Sequence, residues 1–180
     1  ATLSAVDNLP PDQVIILPNN KNIGLAAKQA SGLTAKNLSV VPTTSVPQGI
    51  AALLALDPDG DLKAVSDAMA EAVGEIRSVE VTTATRSVEL DGVQVREGQV
   101  IGLLNGKLAV SGDDLEPVLL EVLKKAGADE TELISLYYGA GMIALQANKL
   151  GDRVREVWPR VEVEIVRGGQ PHYQFIASVE

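Results

Sequence analysis

The sequence predicts an α/β protein built from two similar βαβ-type halves with mainly parallel sheets and an antiparallel hairpin insertion between them. Three observations carry this. Short aliphatic runs such as Val14 to Leu17 and Leu133 to Tyr138 read as buried strands, each followed by a polar or glycine-containing loop and a helical stripe. Both runs sit in the order strand, loop, helix, strand. Between them, alternating residues and the dipeptides Asp91-Gly92 and Asn105-Gly106 signal hairpins, because both central positions of a type I′ turn require positive φ.

Taken in order, residues 1–9 look like the last turns of a helix stopped by Pro10-Pro11. The fold is therefore expected to be cut at its amino end. Val14 to Leu17 is expected to be a strand buried on both faces and ended by Pro18. Asn19-Asn20-Lys21-Asn22 leads into a helix with Ile23, Ala26, Ala27 and Ala30 at helical spacing and Asn22 as its cap. A second strand, Leu38 to Val41, stops at Pro42. The hydroxyl-bearing Thr43-Thr44-Ser45 and Val46-Pro47-Gln48-Gly49 then precede a helical run from Ile50 to Leu56. Asp57-Pro58-Asp59-Gly60-Asp61 is a turn and helix start, and Leu62, Val65, Ala68, Met69, Ala72, Val73 and Ile76 form one stripe of a long amphipathic helix.

A first subdomain is expected over 1–78 and a second over 79–180, with the hairpin insertion at 79–112 as part of the second. Ser111-Gly112-Asp113-Asp114 caps a helix from Leu115 to Ala126, with Pro117 in its first turn. After the strand Leu133 to Tyr138, Gly139-Ala140-Gly141 leads into a helix from Met142 to Trp158. Strands Val161 to Val166 and Tyr173 to Val179 flank the turn Arg167-Gly168-Gly169-Gln170-Pro171.

Composition narrows the function. The chain has 180 residues, 46% of them hydrophobic, with one Trp, three Tyr and one Phe, so its core is aliphatic. No apolar stretch approaches the ~20 residues of a membrane span. The amino end lacks the basic and apolar regions of a secretory signal, and the absence of cysteine fits a reducing cytoplasm. A formal charge of −9, from 24 acidic and 15 basic residues, repels nucleic acid and anionic membrane surfaces. It admits a basic protein partner.

His172 is the single histidine and has no cysteine to join it, so a triad or a histidine-based metal site lacks parts. Asn19, Asn20, Lys21 and Asn22 stand where a helix N-terminus favours an anion, although Asn in that position equally serves as cap and turn. Thr43, Thr44 and Ser45 form the matching loop, suited to a carboxylate or phosphate or to its own backbone. Asp57, Asp59, Asp61, Asp113 and Asp114 are candidate partner-binding residues by clustering. Gly168-Gly169 lacks the spacing of a dinucleotide fingerprint, and no P-loop occurs.

The stretches VIILPNNKNIGLAAKQA, VVPTTSVPQGIAALLALDP, DGVQVREGQVIGLLNGKL and GGQPHYQFIASVE together resemble the carboxy-terminal domain of the A-type component of bacterial fatty acid kinase, a dihydroxyacetone-kinase-like family. The resemblance implies a DegV-like fold and a fragment of a longer polypeptide. ATP and magnesium would belong to an amino-terminal domain and catalytic residues to a central one, leaving no cofactor here. It further implies a non-catalytic domain that presents acidic surface to a basic wedge on the fatty acid-binding carrier subunit of the DegV family. Two alternatives stay open: an acyl carboxylate held by Asn19–Asn22 and Thr43–Ser45, or a dihydroxyacetone-kinase-like enzyme using His172.

Overall fold

The computed structural model describes residues 2–90 and 92–180. Asp91 of the expected Asp-Gly turn, and the side chain of Ala30 from the first helical stripe, lie outside the described residues. The chain divides into two compact units, Ala1–Ile76 and Arg77–Glu180.

The first unit runs α1 (Thr2–Asp7), β1 (Gln13–Ile16), α2 (Lys21–Ser31), β2 (Asn37–Val40), α3 (Val46–Leu54) and α4 (Leu62–Glu75). β1 and β2 pair in parallel, with Val14 opposite Leu38 and Ile16 opposite Val40. A parallel pair needs a crossover, and α2 supplies it. The small core joins Val41, Ala52, Val65, Met69 and Val73, with Ile15 and Leu17 packed against it. The expected stripe of α4 buries Val65, Met69 and Val73, whereas Ala68 is exposed and Ile76 is the extended C-cap residue. β1 is not buried on both faces: Gln13 is exposed and Ile15 and Ile16 are half-buried. Among the described residues its sheet has two strands, which leaves part of each strand uncovered.

The second unit runs β3 (Arg77–Thr83), β4 (Val88–Leu90), β5 (Val93–Val95), β6 (Val100–Leu104), β7 (Lys107–Gly112), α5 (Leu115–Lys125), β8 (Leu133–Tyr138), α6 (Ala144–Val157), β9 (Glu162–Arg167) and β10 (Tyr173–Val179). Six strands form one sheet in the order β7-β6-β3-β10-β8-β9. Parallel pairing in this sheet is confined to β8–β9, the counterpart of β1–β2, and the sheet's other four pairings are antiparallel. The expected insertion is accordingly part of the main sheet rather than an appendage. β3, β6 and β7 make up half of that sheet, and β4–β5 forms a separate two-stranded ribbon.

Asn105 and Gly106 link β6 to β7 with φ of 51° and 74°, the two positive values a type I′ turn demands. β10 lies between β3 and β8, so its residues from Phe175 to Val179 are all buried. One aliphatic core gathers Val79 and Val81 of β3, Ile134 and Leu136 of β8, Phe175, Ala177 and Val179 of β10, and residues of α5 and α6. Both helices thus cover the same face of the sheet. α6 starts two residues later than the spacing predicts, because Met142 N–H donates to Gly139 O in a turn and Ile143 is the extended N-cap.

Candidate functional site

The polar loops that follow β1 and β2 meet at one end of their sheet, where ligands of open α/β sheets bind. The chain must turn sharply after Pro18 to enter α2, and Asn19 does so with φ of 53°. Asparagine tolerates this left-handed region better than most residues. Asn19 N–H donates to Thr43 Oγ1 at 3.0 Å, tying the two loops together. The Asn19 amide lies over Gly49 of α3, where an added Cβ would stand 2.7 Å from Asn19 Cγ. Asn19 Oδ1 is buried with no hydrogen-bond partner among the described residues.

Asn20, not Asn22, begins α2: its Oδ1 accepts from Asn22 N–H at 2.8 Å, and its carbonyl accepts from Ile23 and Gly24 N–H. The expected cap is therefore displaced by two residues. An asparagine caps by accepting from an N–H two or three residues ahead, and in a run of several asparagines sequence alone does not choose among them. Asn22 sits in the first turn with its side chain exposed.

In the facing loop Thr43 is 1% exposed. Thr44 N–H and Oγ1–H both donate to Gln48 Oε1, at 2.8 and 2.9 Å. Ser45 is the N-cap of α3, its Oγ accepting from Gln48 N–H, with Pro47 in the first turn. Ser45 and Gln48 thus make a variant of the capping box, in which the Gln side chain reaches back one residue further than usual. The S-x-x-Q spacing is the sequence signal for Gln48, and it goes unnoticed when the loops are read only as ligand sites.

Pro18, Asn20, Lys21, Leu25, Lys28, Thr43 and Thr44 are among the residues that line a crevice of about 280 Å³ at this end of the sheet. Asn19, Asn22 and Ser45 do not line it. The lysines and the start of α2 favour an anion there. The groups that would hold one are partly engaged already, since Thr44 is bound to Gln48 and Thr43 to Asn19.

The corresponding crevice of the second unit is closed by its own chain. Gly168 and Gly169 N–H both donate to Tyr138 O, Ala140 N–H donates to Gln170 O, and Gln170 Nε2 donates to Tyr137 O at 2.8 Å. A Cβ on Gly139 would overlap the Tyr173 carbonyl, so this strand-to-helix turn admits only glycine. His172 is exposed, at φ of 70°, and its carbonyl accepts from Thr82 Oγ1 at 2.6 Å. It is placed as a turn residue entering β10. Burial pushes the hydroxyls of Tyr137 and Tyr173 above their ordinary range. Glu180 and Glu164 add to this at Tyr137, against a hydrogen bond with Ser135, and Glu80 adds to it at Tyr173. Among the described residues no three His, Cys, Asp or Glu side chains gather as metal ligands.

The five candidate aspartates fall into two sets, one in each unit. Asp57 Oδ1 accepts from Asp59 N–H, and Asp61 Oδ2 caps α4 by accepting from Lys63 and Ala64 N–H. Asp113 Oδ1 accepts from Arg96 and from Gln99, and Asp114 is the N-cap residue of α5 without a side-chain capping bond. All five are exposed. No helix among the described residues is long and apolar enough to cross a membrane.

Comparison with known proteins adds family and fold. The FakA-like carboxy-terminal family, named for the A-type component of fatty acid kinase, matches residues 1–180. An uncharacterized protein of Staphylococcus haemolyticus, SH1689, is 38% identical over 168 residues, covering 93% of this chain and 30% of its own. Another, SAR1202 of Staphylococcus aureus, is 36% identical with 93% and 31% covered. The chain thus spans under a third of the length of these relatives. Among solved structures, the Streptococcus pneumoniae fatty acid kinase B3 protein loaded with linoleic acid superposes with a TM-score of 0.66 at 12% identity, over 99% of this chain and 74% of that one. A DegV family protein from Eubacterium eligens loaded with heptadecanoic acid gives 0.66 at 14%, over 100% and 76%. The dihydroxyacetone kinase of C. freundii gives 0.63 at 14%, over 99% and 40%. At these identities the likeness is one of fold, DegV-like and α/β.

Proposed function

Because the chain belongs to the FakA-like carboxy-terminal family of fatty acid kinases, we propose that it is a non-catalytic docking domain of such a kinase. It binds the DegV-family carrier subunit that delivers the fatty acid for conversion to acyl phosphate. ATP and magnesium act in other domains of the parent protein.

One observation carries this reading. The chain shares its fold with proteins whose solved structures hold fatty acids, yet its own strand-end crevice measures about 280 Å³, below the ~300–1,000 Å³ of ordinary ligand pockets. Its loop hydroxyls are engaged with Gln48 and Asn19. With those hydroxyls already bonded within the chain, the crevice offers an acyl carboxylate fewer partners than its lining suggests. The acidic side chains, by contrast, are exposed and accessible to a protein. Complementary charge speeds encounter and selects partners.

Sedimentation velocity tests it. The chain mixed with the cognate carrier subunit, loaded with oleate, is expected to sediment as a complex at low ionic strength and to dissociate as salt screens the charges. Independent sedimentation at low salt would overturn the reading.

A further inference from the structure

The helix α3 is apolar on both sides. In its sequence, VPQGIAALL, Gln48 is the single polar side chain. Ala52 is buried in the unit's own core, Gly49 is buried beneath the Asn19 amide, and Pro47 is buried in the first turn. On the other side Val46, Leu53 and Leu54 stand exposed, Leu54 at 83%, with half-buried Ile50 between them. Positions 46, 50, 53 and 54 follow the i, i+4, i+7, i+8 spacing of one helical stripe. Leu56, also exposed, continues it beyond the helix end. A helix apolar all round is normally covered on all sides, and anchors at this spacing are how a helix seats against a partner's groove.

The stripe runs directly into the exposed turn carrying Asp57, Asp59 and Asp61, and residues 37–62 contain no Lys or Arg. Lys63 stands one residue beyond and is paired with Asp67, so the charge that borders the apolar surface along the chain is predominantly negative. A second copy of the chain carries the same charge of −9 and the same acidic turn, and its approach is opposed by like charge. An anionic membrane is opposed for the same reason.

We propose that the α3 stripe and the Asp57–Asp61 turn form one docking face, and that its occupant is an apolar surface edged by lysine or arginine on the DegV-family carrier subunit. This rests on the docking reading above and assigns it a location. The leucines hold the complex together, and the aspartates steer its formation.

The test uses surface plasmon resonance with oleate-loaded cognate carrier immobilised, at low and high salt. It compares the parent chain, Leu53→Ser/Leu54→Ser, the single Leu54→Gln, and Asp57→Asn/Asp59→Asn. Asp61 is left intact because it caps α4. The double leucine variant is expected to lose affinity by at least about tenfold, mainly through faster dissociation, with its salt dependence retained. Leu54→Gln, at a site that packs against little, serves if the double variant does not fold, and is expected to show a smaller loss of the same kind. The aspartate variant is expected to associate several-fold more slowly at low salt and to lose most of its salt dependence. Binding of the parent with both leucine variants unchanged would overturn this inference and leave docking elsewhere on the domain intact. No binding by the parent would overturn both. Self-association of the parent that the leucine substitutions abolish would assign the stripe to a second copy and overturn the inference.

Discussion

Gly102 shows how a single hydrogen atom sets the fit of α5 on its sheet. It lies in β6 where the register with β7 shifts, and a Cβ there would stand 2.9 Å from Cβ of Val122, a fully buried residue of α5. Val122 Cβ is tied to the helix backbone and cannot swing aside, so Gly102→Ala forces the helix off the sheet. Overpacking of this kind costs about 1–3 kcal/mol. Gly74 of α4 has nothing within reach of an added Cβ, and Gly74→Ala is expected to stabilise by up to about 1 kcal/mol. Urea denaturation of the two variants should shift in opposite directions. A second test at this scale concerns Tyr137 and Tyr173, whose folded-state pKa values are raised, first by burial. A raised pKa in the folded state means that the unfolded chain releases its protons first. Stability is then fully present below the unfolded value near pH 10 and falls as pH rises through the folded values. Denaturation midpoints at pH 8, 10 and 11, with the phenolate absorbance followed in parallel, should fall more steeply over the upper interval than over the lower, and Tyr137→Phe should lessen the fall.

At the scale of elements, two aspartates that look alike in sequence do different things. Asp61 and Asp114 both precede a helix, yet Asp61 Oδ2 accepts two backbone N–H groups of α4, while Asp114 makes no side-chain bond to α5. Loss of an N-cap side chain costs about 0.5–2 kcal/mol. Asp61→Ala is expected to destabilise by about 1 kcal/mol, and Asp114→Ala by about half of that or less, retaining only its charge at the helix start. Thermal denaturation of the two single variants checks the order. The same contrast explains what was legible in the sequence. β8 and β10 lie where their aliphatic runs place them, and the Asn105-Gly106 turn follows from chemistry local to two residues. The cap of α2 falls at a different asparagine from the expected one because Asn20 and Asn22 offer equivalent side chains two residues apart. The engagement of Thr44 by Gln48, which closes the candidate loop on itself, is signalled by the S-x-x-Q spacing alone. The pairing of Asn19 with Thr43 crosses 24 residues and carries no local signal. Nor could the position of β10 between β3 and β8 be read, since hydrophobic period reports burial and not neighbours.

For the whole molecule, the two units differ in what holds them. Among the described residues the core cluster of the first joins five buried residues, Val41, Ala52, Val65, Met69 and Val73, around a two-stranded sheet. The second gathers eighteen buried residues between a six-stranded sheet and two helices. Burial of apolar area is the dominant favourable contribution to folding, and small domains bury a smaller share of their surface. The first unit also leaves Leu25, Leu33, Leu53 and Leu54 more than half exposed. It should unfold first. The distribution of aromatic residues makes this testable without labels, because the one Trp, the three Tyr and the one Phe all lie beyond residue 76. Trp158 is 7% exposed and donates its Nε1–H to Asp129 Oδ1 at 2.8 Å, so its emission reports the second unit alone. Far-ultraviolet circular dichroism sees the helices of both. With increasing urea, an early loss of dichroism is expected while the Trp158 emission stays native, followed by a second transition seen by both probes. Asp61→Ala should move only the first transition and Gly102→Ala only the second. Coincident curves in the parent chain would mean that the two units unfold as one cooperative body, and that the smaller core draws its stability from the larger.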